Sequence, residues 1–230
     1  CQGLEGEFDN VHISFLHRWL DYSKMNSNQK RILEIAAKDG APQFTVRDTE
    51  YGLLNVTRRS APEGDGYWWQ ASQWMMPAWS YGGNDGQTLS GRAWVPVDDH
   101  HTNAYCYMYR VDRPFDEREK TLNEIGTFFP PRSVQNKFQM PDGYTLDIRV
   151  PLARWENDFL IDRSGQKTVS YTGVYGVNDQ DRSIQEGMIS VEGVGPGKVV
   201  DRSKEHLGTT DVTTIAVRRR LIRMARDLEK

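Results

Sequence analysis

The sequence predicts an α+β fold in which a curved antiparallel sheet packs on a long C-terminal helix. Three observations carry this expectation. Apolar residues recur at helical spacing near both ends of the chain, strand-like runs fill much of the stretch between them, and turn residues separate those runs. At 230 residues the chain is long enough to bury a substantial core. It shows no internal repeat, low-complexity tract or linker, so one domain over 1–230 is expected.

In chain order, Phe8 to Leu20 reads as a first helix, because Phe8, Val11, Phe15, Leu16, Trp19 and Leu20 follow spacings of three and four. A helix or loop near Ser27 to Lys38 ends at the turn signal Asp39-Gly40-Ala41-Pro42. Phe44 to Asp48 alternates apolar and polar residues, and Tyr51 to Arg58 reads as its hairpin partner. Tyr67 to Trp79 is aromatic and extended, and Tyr81-Gly82-Gly83-Asn84-Asp85-Gly86 reads as a loop. Gly91 to Val97 and Ala104 to Arg110 form another strand pair. Pro114 to Pro151 carries few periodic signals and reads as an excursion over the surface. The last segment is the clearest helix. Thr209 or Thr210 can cap it, Asp211 favours its positive end, and Val212, Ile215, Ile222, Ala225 and Leu228 make one stripe.

The charge balance, 29 Lys and Arg against 32 Asp and Glu, leaves no basic excess for nucleic acid. Arg218-Arg219-Arg220 reads as a solvated helix face. Two cysteines, Cys1 and Cys106, make neither a disulfide framework nor a four-cysteine metal site. No apolar run approaches the roughly 20 residues of a membrane span, so a cytoplasmic protein with no membrane partner is expected. Asn55-Val56-Thr57 matches a glycosylation acceptor, a pattern common by chance. The chain opens without Met and runs directly into a dense motif, which is expected of a piece of a longer polypeptide.

That motif is Asp9-x-x-His12-x-x-x-x-His17, drawn from five histidines in all. Two imidazoles and a carboxylate suit a non-haem ferrous site, where three ligands hold one face and leave positions open. A carboxylate three residues from an imidazole can accept from its second nitrogen and fix its tautomer. On a regular helix, however, five residues turn through about 500°, so His12 and His17 would point roughly 140° apart. One metal can bind both only if the helix is distorted between them, and a plain surface pair is the bland alternative. The zincin spacing of four has no such difficulty and suits this pair less well.

Leu4 to His17 resembles the iron-binding segment of Rieske non-haem iron aromatic-ring oxygenases. It is most similar to the branch of phthalate dioxygenases, phenoxybenzoate dioxygenases and lignin-biphenyl O-demethylases. Val95-Pro96-Val97-Asp98-Asp99-His100-His101 resembles that branch's strand motif. Asn157-Asp158-Phe159-Leu160-Ile161-Asp162-Arg163, Gln180-Asp181-Arg182-Ser183-Ile184-Gln185-Glu186 and Asp201-Arg202-Ser203-Lys204-Glu205-His206-Leu207-Gly208 resemble its C-terminal third.

The resemblance implies a helix-grip (START-like) fold and an enzyme that activates O2 at mononuclear Fe(II). Such an enzyme hydroxylates or O-demethylates an aromatic substrate, often an aromatic acid. It implies His12 and His17 as iron ligands and Asp181 as the carboxylate ligand, with Asp179 and Glu186 left open as alternatives. Asp9 would bridge an iron-ligating His to a His of a neighbouring subunit's Rieske domain. It further implies a [2Fe–2S] cluster on an upstream domain, a separate reductase using NAD(P)H, and a homo-oligomer, a trimer or hexamer of trimers. The two Cys and two His of such a cluster are not in this sequence.

Trp68, Trp74 and Met76, with Trp69, Met75 and Trp79 nearby, are candidates to line a pocket for a flat ring, although their alternation also suits a sheet core. Asp98, Asp99, His100 and His101 suit a polar turn more than a second metal site. His206 suits a structural hydrogen bond, and Arg47 and Arg58 are weak candidates for reading a substrate carboxylate. The rival readings are a metal-free helix-grip module holding an apolar or aromatic ligand, and a zinc hydrolase.

Overall fold

Six strands form an antiparallel meander in the computed structural model, which describes residues 1–23, 27–61, 63–83, 87–127, 130–188, 190, 193 and 199–230. They are β1 (Gln43–Thr49), β2 (Gly52–Ser60), β3 (Tyr67–Met75), β4 (Trp79–Gly83), β5 (Thr88–Pro96) and β6 (Thr102–Arg110), hydrogen-bonded in chain order. The helices are α1 (Gln2–Glu5), α2 (Ser27–Lys38), α3 (Glu117–Glu124), α4 (Val177–Gln185) and α5 (Val212–Leu228), and a separate hairpin joins β7 (Ser133–Gln139) to β8 (Thr145–Pro151). This is the expected α+β architecture, consistent with a helix-grip fold.

The alternation of β2 and β3 decides which face is covered. Leu53 and Trp74 are register partners, and both are buried against Leu4, Phe8 and Val217. A Trp ring burying roughly 200 Å² at about 25 cal/mol per Å² contributes about 5 kcal/mol, several times one hydrogen bond. Trp74 is therefore a core residue. Between these apolar contacts runs a buried polar seam. The Thr213 hydroxyl donates to Asn55 Oδ1 at 3.0 Å, and Asn10 Nδ2 donates to Thr57 Oγ1 at 3.0 Å. Arg59 donates to the carbonyls of Asp39 and Asn10. Asn55 is 1% exposed, so its glycosylation match lies inside the folded chain. The aromatic rings of Tyr67, Trp69, Trp79, Tyr105 and Tyr109 remain exposed.

Five expectations are corrected. The helix over Phe8 to Leu20 does not form: α1 ends at Glu5, and only a 3-10 turn, His12–Ser14, follows. Phe8 and Trp19 are buried but Phe15 and Leu20 are exposed, so their spacing does not describe one buried face. In α5 the buried residues are Thr213, Thr214 and Val217, with Leu221 and Met224 packed alongside, whereas Ile222 and Leu228 are exposed. The seam explains this, because a helix that must bond Asn55 buries its threonines. The middle segment holds α3, which buries no residue and rests on a capping box between Asp116 and Glu119, and the hairpin β7–β8, several of whose residues are exposed. Arg218 is ion-paired to Glu5 and Glu205 rather than solvated. The loop expected over Tyr81 to Gly86 begins as β4, and Asn84, Asp85 and Gly86 lie outside the described residues.

Candidate metal centre

Asp9 starts the local structure that replaces the helix. Its Oδ1 accepts from the Val11 N–H at 2.8 Å, a side-chain-to-backbone bond that competes with helix formation. The Ser14 hydroxyl donates back to the Val11 carbonyl at 2.8 Å, and one tight turn closes over His12–Ser14. The chain then runs on to Trp19, which bridges to Ser170. This path folds His17 back towards His12, with ring centroids 5.0 Å apart and planes at 76°. The irregularity that a five-residue spacing demands is thus present between the two histidines.

The third member comes from α4. Gly176 begins this helix at φ 87°, and a Cβ there would stand 2.4 Å from the Gly126 carbonyl oxygen, so only glycine fits. The second turn of α4 then presents Asp181 to both imidazoles. Asp181 Oδ1 lies 3.4 Å from His12 Nε2 and 3.1 Å from His17 Nε2, and the two Nε2 atoms are 3.2 Å apart. Among the described residues this is the one group of His, Cys, Asp and Glu side chains whose ligand atoms converge so closely. Edges of this length are what three ligand atoms about 2.1 Å from one centre make: about 3.0 Å at right angles and 3.4 Å at tetrahedral angles.

Successive residues on α4 point about 100° apart, so Asp179 faces away from Asp181. Asp179 Oδ1 and Glu186 Oε1 both take up Arg182, at 3.1 and 2.9 Å, which leaves Asp181 as the carboxylate at the histidines. Burial pushes the Asp179 carboxyl up to about 6 against the pull of Arg182. Asp181 responds the other way. Burial would raise its carboxyl, but His17 and His12 outweigh burial and hold it well below the usual carboxylate range. Burial likewise opposes charge on His12, yet Asp181 and Asp9 raise its imidazole to about 10. The cluster therefore favours positive charge at its centre, and its nitrogen and oxygen donors suit a divalent metal.

Each imidazole has a second partner. Asp9 Oδ2 is 3.4 Å from His12 Nδ1. Gln180, 0% exposed, places Oε1 2.7 Å from His17 Nδ1. His12, His17 and Asp181 all line a cavity of about 500 Å³ whose walls include Ser90, Arg92, Met108 and Arg110 of the sheet and Arg113 and Arg118 beyond it. Arg92 is buried there and paired with Glu7. His12 also borders an apolar cleft of about 820 Å³ with Phe15, Trp155, Phe159, Tyr171 and Ile184.

The structure brings together Asp9, His12, His17 and Asp181 but not the candidate substrate residues. Trp68, Trp74 and Met76 line neither cavity, because the sheet spends Trp74 and Met76 on the core shared with α5. Arg47 is exposed and Arg58 stacks over Tyr67, 4.1 Å from its centroid. His100 and His101 are exposed, and Asp98 accepts from both backbone N–H groups, which makes this the polar turn. His206 is exposed and borders neither cavity. Gln180 was the residue missed, although it stands beside Asp181 in the quoted motif. Glu7 and Arg92, 85 positions apart, carry no sequence signal of their pairing.

A family model described as LigXa C-terminal domain like matches residues 1–230. The chain is 29% identical to the 3-chlorobenzoate-3,4-dioxygenase oxygenase subunit of Comamonas testosteroni, over 98% of this chain and 50% of that protein. It is 26% identical to the phthalate 4,5-dioxygenase oxygenase subunit of Pseudomonas putida, over 95% of this chain and 46% of that protein. The chain spans about half the length of the curated relatives it matches. The resemblance read from the motifs is borne out at the level of the family. Among the described residues no helix is long and apolar enough to cross a membrane.

Proposed function

The chain belongs to the LigXa C-terminal domain-like family, and from that premise we propose that it is the catalytic part of a Rieske-type aromatic-ring oxygenase. His12, His17 and Asp181 hold its Fe(II). The observation that carries this reading is the triangle of two imidazole nitrogens and one carboxylate oxygen with edges of 3.1 to 3.4 Å. Ferrous iron bound there supplies the activation of O2 for hydroxylation or O-demethylation. The chain's own residues do the rest. Asp181 contributes the negative charge that holds a cation, and Asp9 accepts from His12 on the side away from the triangle. The cavity of about 500 Å³ takes the aromatic substrate beside the ligands. By their names the relatives act on 3-chlorobenzoate and phthalate, both aromatic carboxylates. An aromatic acid is accordingly the proposed substrate; Arg118 lines the cavity, as do Arg110 and Arg113, which are paired with Glu119.

Electrons reach the site from a [2Fe–2S] Rieske domain of a neighbouring subunit through the Asp9–His12 contact, supplied by a reductase using NAD(P)H. The assembly is a cytoplasmic trimer or hexamer of trimers. The test is anaerobic Fe(II) loading of the full polypeptide containing this chain. One iron per catalytic site is expected, and His17→Ala and Asp181→Ala should each abolish it. A wild-type protein that takes up no iron but binds aromatic acids would support the metal-free module instead. Tight zinc with hydrolysis and no oxygen consumption would support the hydrolase.

A further inference from the structure

Gln180 is wholly buried, and both ends of its side-chain amide are engaged. Its Nε2 donates to the Val174 carbonyl at 2.9 Å, and its Oε1 faces His17 Nδ1 at 2.7 Å. A carbonyl oxygen can only accept, so the amide NH2 must face Val174 and the amide oxygen must face His17. An amide oxygen can only accept as well, so His17 Nδ1 carries the hydrogen. A neutral imidazole has one N–H, which leaves the lone pair on Nε2, the nitrogen 3.1 Å from Asp181 Oδ1. The hydrogen bonds run from a backbone carbonyl to the electron pair aimed into the triangle, and each admits one direction.

From this we infer that Gln180 is the positioning residue that fixes the tautomer and orientation of His17 as a metal ligand. The inference rests on the metal-centre reading above and deepens it. The two imidazoles are backed unequally. His12 Nδ1 faces the Asp9 carboxylate at 3.4 Å, whereas His17 Nδ1 faces a neutral amide. A carboxylate draws the N–H proton towards itself and makes the ring a stronger donor, while an amide orients the ring and adds no charge. Asp181 and Asp9 already bring two negative charges to the cluster, so a third at Gln180 would exceed what one divalent cation balances. Position 180 also sits beside position 181 on α4, so the element that delivers the carboxylate ligand delivers the orienting group for His17 as well.

The test loads the full polypeptide with Cu(II) as a spectroscopic probe and reads the remote imidazole nitrogens by electron spin echo envelope modulation. Their quadrupole coupling responds to the hydrogen bond at the uncoordinated nitrogen, which a merely structural glutamine would not govern. Gln180→Leu should change one of the two remote-nitrogen signals and leave the other. It should also weaken Fe(II) binding 10–100-fold, the usual effect of losing a partner outside the ligands themselves. Unchanged signals with affinity within twofold of wild type would overturn the inference while leaving the metal centre standing. If the Leu variant does not fold, the isosteric Gln180→Glu decides. Protonated, its carboxyl donates to the Val174 carbonyl and keeps an acceptor for Nδ1–H, so the fold should be retained while that one signal shifts, and an unshifted signal overturns the inference. A wild-type protein that takes up neither Cu(II) nor Fe(II) would overturn the metal centre and this inference together.

Discussion

Asp9 and Asp181 are both carboxylates within reach of His12, yet they meet opposite nitrogens of its ring, Nδ1 at 3.4 Å and Nε2 at 3.4 Å. Their substitutions should therefore fail differently. Asp9→Asn keeps an oxygen near Nδ1 and leaves the triangle intact, so iron content should stay close to wild type. Turnover with Rieske domain and reductase present should fall at least 10–100-fold. Wild-type turnover would remove Asp9 from the electron path, and loss of iron from a folded variant would place it among the ligands. Asp181→Asn removes the one negative charge inside the triangle, and iron counted after loading should be lost. At this scale the sequence was informative where residue type is tied to chemistry. The pairing of two histidines with Asp9 could be read from spacing, and the resemblance supplied Asp181. Gln180 could not be read as functional, because an amide's role depends on which atoms it meets.

The buried face of α5 was misread because hydrophobicity is only one way for a helix to pack. Thr213 is 1% exposed and donates to Asn55, itself 1% exposed. Thr213→Val preserves the shape but strands the Asn55 oxygen, so urea denaturation should show a loss of roughly 1–3 kcal/mol. A change within 0.5 kcal/mol would mean the seam is solvated. Trp74→Ala tests the reassignment of β3 from pocket to core: about 3–5 kcal/mol of stability should go, with denaturation as the readout. The meander itself was largely legible, since β1, β2, β5 and β6 show either alternation or turn-bounded apolar runs. The hairpin β7–β8 was not: β7 is mostly exposed and leaves little period to detect, whereas Leu146, Ile148 and Val150 do alternate with polar residues along β8, a signal the sequence reading passed over. For α3 the signal existed, in the Asp116-x-x-Glu119 capping box, and apolar periodicity alone missed it.

Across the whole molecule, the N-terminal segment is tied to the C-terminal third by ions as well as by the core. Arg218 meets Glu5 at 2.7 Å and Glu205 from α5, while Arg202 meets Glu5 at 3.0 Å. Hydrogen bonding to Arg218 holds the Glu205 carboxyl below its usual range. Its contribution is therefore complete above the ordinary carboxylate value of about 4.5 and is lost as pH falls through the lower folded value. Arg218→Met should cost roughly 1–3 kcal/mol at neutral pH, and the deficit against wild type should shrink in acid melts. The same long-range closure governs when the site can exist during synthesis. His17 and its partner Gln180 are 163 residues apart, and Glu5 and Arg218 are 213 apart. A ribosome adding about 5–20 residues per second exposes both histidines many seconds before α4 emerges. Until then the emerging chain offers two imidazoles with no carboxylate to close the triangle. On the proposed reading, iron uptake is thus a late event, set by the arrival of α4. Stalled nascent chains that end before Val177 should retain no radioactive iron, and chains released beyond Lys230 should.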